Sequence, residues 1–478
     1  MRVFQFLSHK EMYTYTTKKT SIKLPKTLTK ILKLLEEKGA RPILVGGCVR
    51  DHFLNIPIKD YDIEIFNIEN FEILTKYLES FGKVKLVGKS FGVLKLIVED
   101  EEYDFALPRT EKKVGDGHKG FEVISNSFLS FEQAAIRRDF TINAIAYDFT
   151  KDEFLDPFDG LIDLEKRVLR HIDENSFIED PLRVYRAIQF SSRFDFTLDK
   201  RTFLLCKKMV QRGDLNELAK ERIFEEFKKI FLKSKKPSIA FELLKDLGIL
   251  KHFPLLETLI GCKQEPLYHP EGDVWIHTLM SLDEMAKLKT GNEYKDLVLF
   301  LAILCHDFGK PLCTKVIDGK ITSHKHESLG IEPTITFLNS LTNDKKFIND
   351  VLPLVKYHLS PFQLYLHNSS DKAVRRLSLK VDIEMLCLVC LADCLGRTIP
   401  DKSKCHKAIL WLRNKADELE VKNEAPLPLV MGKDLIKLGF KPGSSFKEIL
   451  AFAFDLQIDD NLGKEEIINK IKENYIKV

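Results

Sequence analysis

The sequence predicts an α+β fold in which a small mixed sheet occupies the first third of the chain and helices make up most of the remainder. Three observations predict it. Residues 1–150 alternate short apolar runs with helical stretches, whereas residues beyond 151 carry apolar positions at intervals of three and four. Polar or proline-bearing loops (SKKPS, KQEPLYHPEGD and NEAPLPL) punctuate the helical part near 235, 265 and 424. With 478 residues and 44% hydrophobic content, the chain is long enough for roughly two to four domains. The expected divisions are a sheet-bearing head at 1–150, a helical neck at 151–235, a helical region at 236–424 and a helical tail at 425–478.

Composition narrows the class. The formal net charge is only +3 although 30% of residues are charged, so a nucleic-acid surface must come from local clustering of Lys and Arg. The first forty residues are one such cluster, with nine Lys/Arg against three acids. No apolar run reaches the roughly 18 residues of a membrane span, and the start lacks a hydrophobic signal core. A cytoplasmic protein with no membrane partner is therefore expected. Of nine cysteines, Cys387, Cys390 and Cys394 share a CxxC-like spacing but fall on an apolar helical segment, MLCLVCLADCLG, and are expected to be plain core packing.

In chain order, LVGGCVRDHFLNIPIKDYDIEIF reads as a strand, a double-glycine turn at Gly46 and Gly47, a helix start, and a second strand carrying Asp60 and Asp62. Alternate residues on a strand face the same way, so both carboxylates can share divalent cations, expected to be Mg2+. Such a pair meets the two-metal requirement for in-line displacement at a phosphoryl group. The glycines let backbone N–H groups approach a triphosphate, and Arg50 adds charge there. Asp104, in the strand EEYDFALPR, is a candidate third carboxylate. Alone, Asp60 and Asp62 would be an ordinary surface pair; the glycine turn upstream reverses that balance. The polar, glycine-rich stretch 107–131 is expected to be a mobile loop.

In EDPLRVYRA, Asp180 and Arg183 are three apart, so on a helix they would project from one face and meet a single base edge. The carboxylate would accept from an exocyclic amino group while the guanidinium donates to the neighbouring ring nitrogen. Cytosine and adenine offer that edge. Uracil and guanine would set acceptor against acceptor and donor against donor, so the pair predicts use of CTP and ATP. Alone, it would be a surface ion pair of a few tenths of a kcal/mol.

Further along, EGDVWIHTLMSLDEMA, FLAILCHDFGKP, SHKHESLG, VKYHLSP and CLADCLGR place histidines and aspartates inside apolar helical segments. One buried histidine is ordinarily a satisfied core residue. The recurrence of His277, His306, Asp307, His326, His358 and Asp393 points instead to a divalent ion with open positions for water and phosphate. A first-row ion is expected, with Mg2+, Mn2+, Ni2+ and Fe2+ as the candidates. His324 competes with His326 as a ligand.

These blocks carry a resemblance. GG(x)VRD with DxD resembles the head signature of the DNA polymerase beta-like nucleotidyltransferase superfamily, and RRDFTINAIAYD at 137–148 is similar to the ribose-reading motif of class II tRNA nucleotidyltransferases and related bacterial poly(A) polymerases. DPFDGLIDL and ERIFEEF are similar to later motifs of that family. The resemblance implies that Arg138 and Asp139 contact nucleotide phosphate and sugar, and that Asn143 helps to select ribose. It implies that Asp180 and Arg183, with Arg186 in the same block, bind the nucleotide, and that the 107–131 stretch helps to switch from CTP to ATP. Where the family commonly has RF, this chain has Gln189-Phe190.

The histidine segments resemble the HD phosphohydrolase domain fused to a subset of bacterial CCA-adding enzymes. By that likeness His277, His306, Asp307 and Asp393 would hold a primary ion, His326 and His358 would permit a second, and Lys310 would bind substrate phosphate as a point charge. Water bound to such an ion has a lowered pKa, so the chemistry implied is hydrolysis of a phosphomonoester or a 2′,3′-cyclic phosphate. The implied function is CCA addition to the tRNA acceptor end with a fused phosphohydrolase. A poly(A) polymerase, a partial CCA adder, an RNA-binding or nucleotide-sensing protein with decayed sites and a purely structural helical domain are the rivals.

Overall fold

The computed structural model describes residues 21–87, 92–113, 115 and 121–476. Much of the basic amino-terminal cluster therefore lies outside the described residues. The chain divides into two compact units, one running to Glu226 with Leu243–Gly248 added, the other formed by Phe227–Glu242 and everything from Ile249 onward.

The first unit is built on a seven-stranded mixed sheet. Its strands are β1 (Arg41–Val45), β2 (Asp62–Phe66), β3 (Lys83–Val87), β4 (Val93–Val98), β5 (Glu101–Ala106), with β6 (Arg109–Lys113) and β7 (Phe121–Ser125) forming a separate pair, then β8 (Ala146–Asp148) and β9 (Glu153–Leu155). The order in the sheet is β3-β4-β5-β2-β1-β8-β9. Only β2 and β5 run parallel, with Asp62 opposite Asp104. Period-two alternation divides β2 between two faces. Asp62, Glu64 and Phe66 share one face, and Phe66 joins Val45, Phe131, Ala134 and Ala135 in an apolar cluster there. Helices Lys26–Glu37 and Phe71–Glu79 bury leucines and isoleucine at helical spacing, namely Leu28, Ile31, Leu32 and Leu35 in the first and Leu74 and Leu78 in the second.

Four sequence expectations need correction here. Strands do not stop at 151: β9 joins the sheet, Val168–Leu169 pairs with Thr197–Leu198, and Lys315–Ile317 pairs with Lys320–Thr322. That last hairpin turns on Asp318 and Gly319, both at positive φ (49° and 76°), the Asp-Gly signal of a two-residue hairpin. The stretch 107–131 is not simply a loop, because β6 and β7 pair antiparallel from Arg109↔Ser125 to Lys113↔Phe121; residues 114 and 116–120 lie outside the described set. β2 begins at Asp62, so Asp60 sits just before the strand rather than on it. Finally, Cys394 is not plain packing: it is disulfide-bonded to Cys405 on the next helix, while Cys387 and Cys390 are buried free thiols.

The second unit is almost wholly helical. Two helices, Glu293–Cys305 and Ile383–Leu395, are apolar on nearly every side and are buried along most of their length. A helix of that kind belongs at the centre of a bundle, where both faces find neighbours. Val274–Lys287, Lys345–Tyr357 and Ser403–Glu418 pack around them. The tail helices Gly432–Lys437, Ser444–Asp459 and Lys464–Tyr475 close over a small core of their own centred on Leu435, Ile449, Ala453, Ile467 and Ile471.

Candidate functional sites

In the first unit, β1 ends in a turn at Gly46 with φ 73° and ψ −129°, a backbone conformation that side chains strongly disfavour. A Cβ there would lie 3.3 Å from Arg138 Nη1 and 3.7 Å from Asp62 Oδ2, so glycine also keeps open the space between a guanidinium and a carboxylate. Gly47 begins the helix Gly47–Phe53. Asp62 and its direct neighbour Asp104 point to the same side of the sheet. Burial raises the pKa of Asp62; Arg138 opposes that, while Asp104 and Asp60 add to it, as three converging carboxylates must. Such a cluster calls for cations. Lys95 Nζ, 3.2 Å from Asp104 Oδ1, is one that the chain itself supplies.

The ribose-motif residues form one network. Arg138 Nη2 and Arg137 Nη2 each donate to Glu64 Oε1 at 2.9 Å, and Glu64 is buried. Arg50 turns inward: Nη1 donates to Asn143 Oδ1 at 2.6 Å, Nε and Nη2 donate to Asp51, and the guanidinium lies over Phe194. Asn143 Nδ2 in turn donates to Asp139 Oδ1 at 2.9 Å, and Arg186 Nε donates to Asp139 Oδ2 at 2.7 Å. Burial opposes ionisation of Asp139, yet Arg186 and Asn143 outweigh it and hold its carboxyl below the ordinary value. Gln189 is buried in the helix Leu182–Phe194.

The expected helical pairing of Asp180 with Arg183 is not what the fold builds. The helix begins at Leu182 after Pro181, so Asp180 lies outside it, in extended backbone, with its carboxylate 3.4 Å from Arg222. Arg183 donates to Ser176 O at 2.7 Å and to Arg137 O at 2.5 Å. Proline at the helix start fixes this break, because it places the preceding residue in β-like backbone.

In the second unit the six expected side chains converge. His277 lies on Val274–Lys287; His306 and Asp307 end the helix Glu293–Cys305; His326 opens a short turn of helix; His358 caps Lys345–Tyr357; Asp393 lies on Ile383–Leu395. Ligand atoms of His277, His306 and Asp307 fall within 4.8 Å of one another, as do those of Asp307, His326 and His358. Asp307 is common to both sets, and His277 Nε2 is 3.0 Å from Asp393 Oδ1. His326 is buried in the cluster, whereas His324 is exposed. Gly309 makes this possible: a Cβ there would stand 2.0 Å from His326 O and 2.7 Å from Gly330 N, so only glycine lets the two backbones meet.

The donor chemistry fits a divalent ion. Nδ1 of His306, His326 and His358 lies 2.6, 2.8 and 2.7 Å from the carbonyls of Ile303, Ser323 and Val355. Each Nδ1 is thereby the protonated nitrogen, leaving the Nε2 lone pair free. His326 Nε2 and His358 Nε2 then face each other lone pair to lone pair at 3.2 Å, and His306 Nε2 is buried without a hydrogen bond. Burial and the neighbouring histidines push His358 down to about 3, which keeps it neutral. A cation relieves both conflicts. Burial opposes charge on Asp307 and Asp393, but His306 and Lys310 outweigh it at the first, Arg397 and His277 at the second, and both carboxyls stay well below the usual range.

Sequence reasoning missed three supporting groups. Glu64 was marked only by continuing the Asp60, Asp62 alternation. Glu271 Oε1 lies 2.9 Å from Nδ1 of both His269 and His277, so it orients His277 as the backbone carbonyls orient the other histidines. Arg397 Nη2 reaches Asp393 Oδ1 at 3.0 Å. A cavity of about 240 Å³ opens onto this cluster, lined among others by Asp307, Lys310, His326, His358, Asp393 and Arg397.

A glycine turn above converging carboxylates on a mixed sheet, followed by helices, defines a nucleotidyltransferase head with a helical body. The comparisons agree. The Poly A polymerase head domain matches residues 43–170, and the probable RNA and SrmB-binding site of polymerase A matches 195–260. The multifunctional CCA protein of Mannheimia succiniciproducens is 38% identical over 369 residues, covering 74% of this chain and 84% of that protein. Among solved structures, a CCA-adding enzyme with CTP superposes with a TM-score of 0.60 at 22% identity over 95% of this chain and 97% of the other. The Thermotoga maritima CCA-adding enzyme with tRNA gives 0.57 at 21% identity over 94% and 96%. The chain belongs to the family of multifunctional CCA proteins. Among the described residues, no helix is long and apolar enough to cross a membrane.

Proposed function

We propose that this protein completes tRNA 3′ ends with CCA, using CTP and ATP, and that its second unit carries a metal-dependent phosphohydrolase. The observation that carries the first activity is the placement of Asp62 beside Asp104, with Asp60 adjacent, under the open turn at Gly46 and next to Arg138. The tRNA 3′ hydroxyl attacks the α-phosphate of the incoming nucleotide, and pyrophosphate leaves. Asp60, Asp62 and Asp104 hold Mg2+, which supplies charge stabilisation to the attacking and leaving oxygens. Arg138, fixed by Glu64, faces the triphosphate; Arg50, Asn143 and Asp139 fix the floor beneath the ribose. Asp180 and Arg183 read the base edge, trading their bonds to Arg222, Ser176 and the Arg137 carbonyl for cytosine or adenine.

End-trimmed tRNA incubated with each nucleotide tests this. Three additions and a stop are expected with CTP plus ATP and none with UTP or GTP; an unlimited adenylate tail would assign a poly(A) polymerase instead. Asp62→Ala should abolish pyrophosphate release.

The second activity is supported by the facing lone pairs of His326 and His358 and by Asp307 shared between two ligand triads. His277, His306, Asp307 and Asp393 hold one divalent ion, His326 and His358 a second, and Lys310 holds substrate phosphate. Elemental analysis of the purified protein should find metal that is lost in His306→Ala and Asp307→Ala; unchanged content would remove this activity.

A further inference from the structure

We infer that Arg397 is a second phosphate-binding cation of the helical unit's cavity, acting opposite Lys310 on a phosphoryl oxyanion. This rests on the phosphohydrolase reading and deepens it. Both cations line the cavity and each is paired with an aspartate about one helical turn before it: Lys310 Nζ with Asp307 Oδ2 at 2.7 Å, Arg397 Nη2 with Asp393 Oδ1 and Oδ2 at 3.0 and 3.2 Å. Those two aspartates are the carboxylates that would ligate metal. Without an ion the four charges cancel. Once a divalent ion takes the carboxylates, the two cations lose their counter-charge inside a buried site, and only an incoming anion restores it.

The guanidinium has the capacity to receive that anion. Its hydrogen bonds to Asp393 use Nη2 alone, and Nε is buried with no hydrogen-bond partner, so the guanidinium fork keeps unspent N–H donors on Nη1 and Nε for the oxygens of a tetrahedral phosphate. Lys310 spends two donors, on Asp307 and on Gln264 Oε1 at 2.6 Å, and keeps a third.

The short segment bearing Arg397 is held in place from several directions. Cys394 is bonded to Cys405, Thr398 N donates to Glu271 Oε2 at 3.1 Å, and Lys402 Nζ donates to Leu395 O at 2.6 Å. Arg397 therefore meets phosphate from a fixed position.

The test is titration of inorganic phosphate into full-length, Mn2+-loaded protein by calorimetry, with metal content measured on the same samples. Arg397→Gln should weaken phosphate binding by roughly tenfold or more while metal content and nucleotide incorporation at the head stay at wild-type levels. Arg397→Lys should recover part of the loss, since it restores charge without the fork. Unchanged phosphate affinity, or an affinity that falls only as far as metal content falls, would overturn the assignment and leave Arg397 a support for Asp393. Should the wild-type protein take up no metal, the phosphohydrolase reading fails and the Arg397 assignment falls with it. Metal uptake with phosphate affinity unchanged by the substitution would overturn the Arg397 assignment alone.

Discussion

Glu64→Gln tests how the head positions its nucleotide-facing arginine. Glu64 is buried, and its Oε1 accepts from Arg137 and Arg138, both at 2.9 Å, with the three side chains 4%, 16% and 15% exposed. Arg137 keeps a second carboxylate, Glu111, at 3.1 Å. Among the described residues Arg138 keeps the Asn143 carbonyl at 3.5 Å, so it is the residue set loose. A charge-assisted hydrogen bond of this kind contributes about 1.5–3 kcal/mol. Removing one partner of a buried pair costs about 3–5 kcal/mol when no polar group replaces it. Glutamine keeps an acceptor oxygen, so the loss should sit near 2 kcal/mol, equivalent to about 30-fold in kcat/KM. The loss should appear mainly in KM for both CTP and ATP, because Arg138 borders the Gly46 turn rather than the base-reading segment. The assay is single-nucleotide incorporation on trimmed tRNA across a nucleotide series, beside a denaturant titration of the same protein. Wild-type KM for both nucleotides would refute the reasoning, as would a loss confined to one of them.

Other outcomes follow from the same geometry. Gly309→Ala should lower metal content in the helical unit without altering nucleotide incorporation, since a Cβ at 2.0 Å from His326 O must separate that histidine from Asp307; metal analysis beside the incorporation assay checks it. Asp139 has a depressed pKa, so the stability it contributes is fully present above its unfolded value near 4 and is lost as pH falls through the folded value. Asp139→Asn should therefore be less stable than wild type at neutral pH, with the gap closing in acid, as followed by denaturant midpoints from neutral pH down through pH 4. Thiol titration in denaturant without reductant should count seven free cysteines, the remaining two of the nine being Cys394 and Cys405.

Local signals made much of this protein readable in advance. Asp60, Asp62 and the glycine pair stand within one short stretch of strand, turn, helix and strand, so the chain brings them together locally although Asp60 lies just before the second strand. The histidine cluster was readable differently: His277, His306, Asp307, His326, His358 and Asp393 lie far apart, but most of them stand within or at the end of an apolar helical run, and a buried polar group needs a partner. What escaped was whatever depends on a single intervening residue or on a distant one. Pro181 breaks the expected helical face of Asp180 and Arg183. Cys394 finds its partner on the following helix rather than in its own CxxC-like run. The Asp318-Gly319 hairpin is a two-residue signal set between long helical patterns.

By itself the sequence determined the α+β order, the head and helical body, and most of the residues that gather at each cluster, because periodicity and residue type act over a few neighbours. Only the tertiary structure decided how those groups are held: Glu64 beneath two arginines, Glu271 behind His277, Arg397 against Asp393, and His326 rather than His324 in the cluster. Orientation of that kind comes from contacts between segments distant in the chain, and no local pattern encodes which of them will meet.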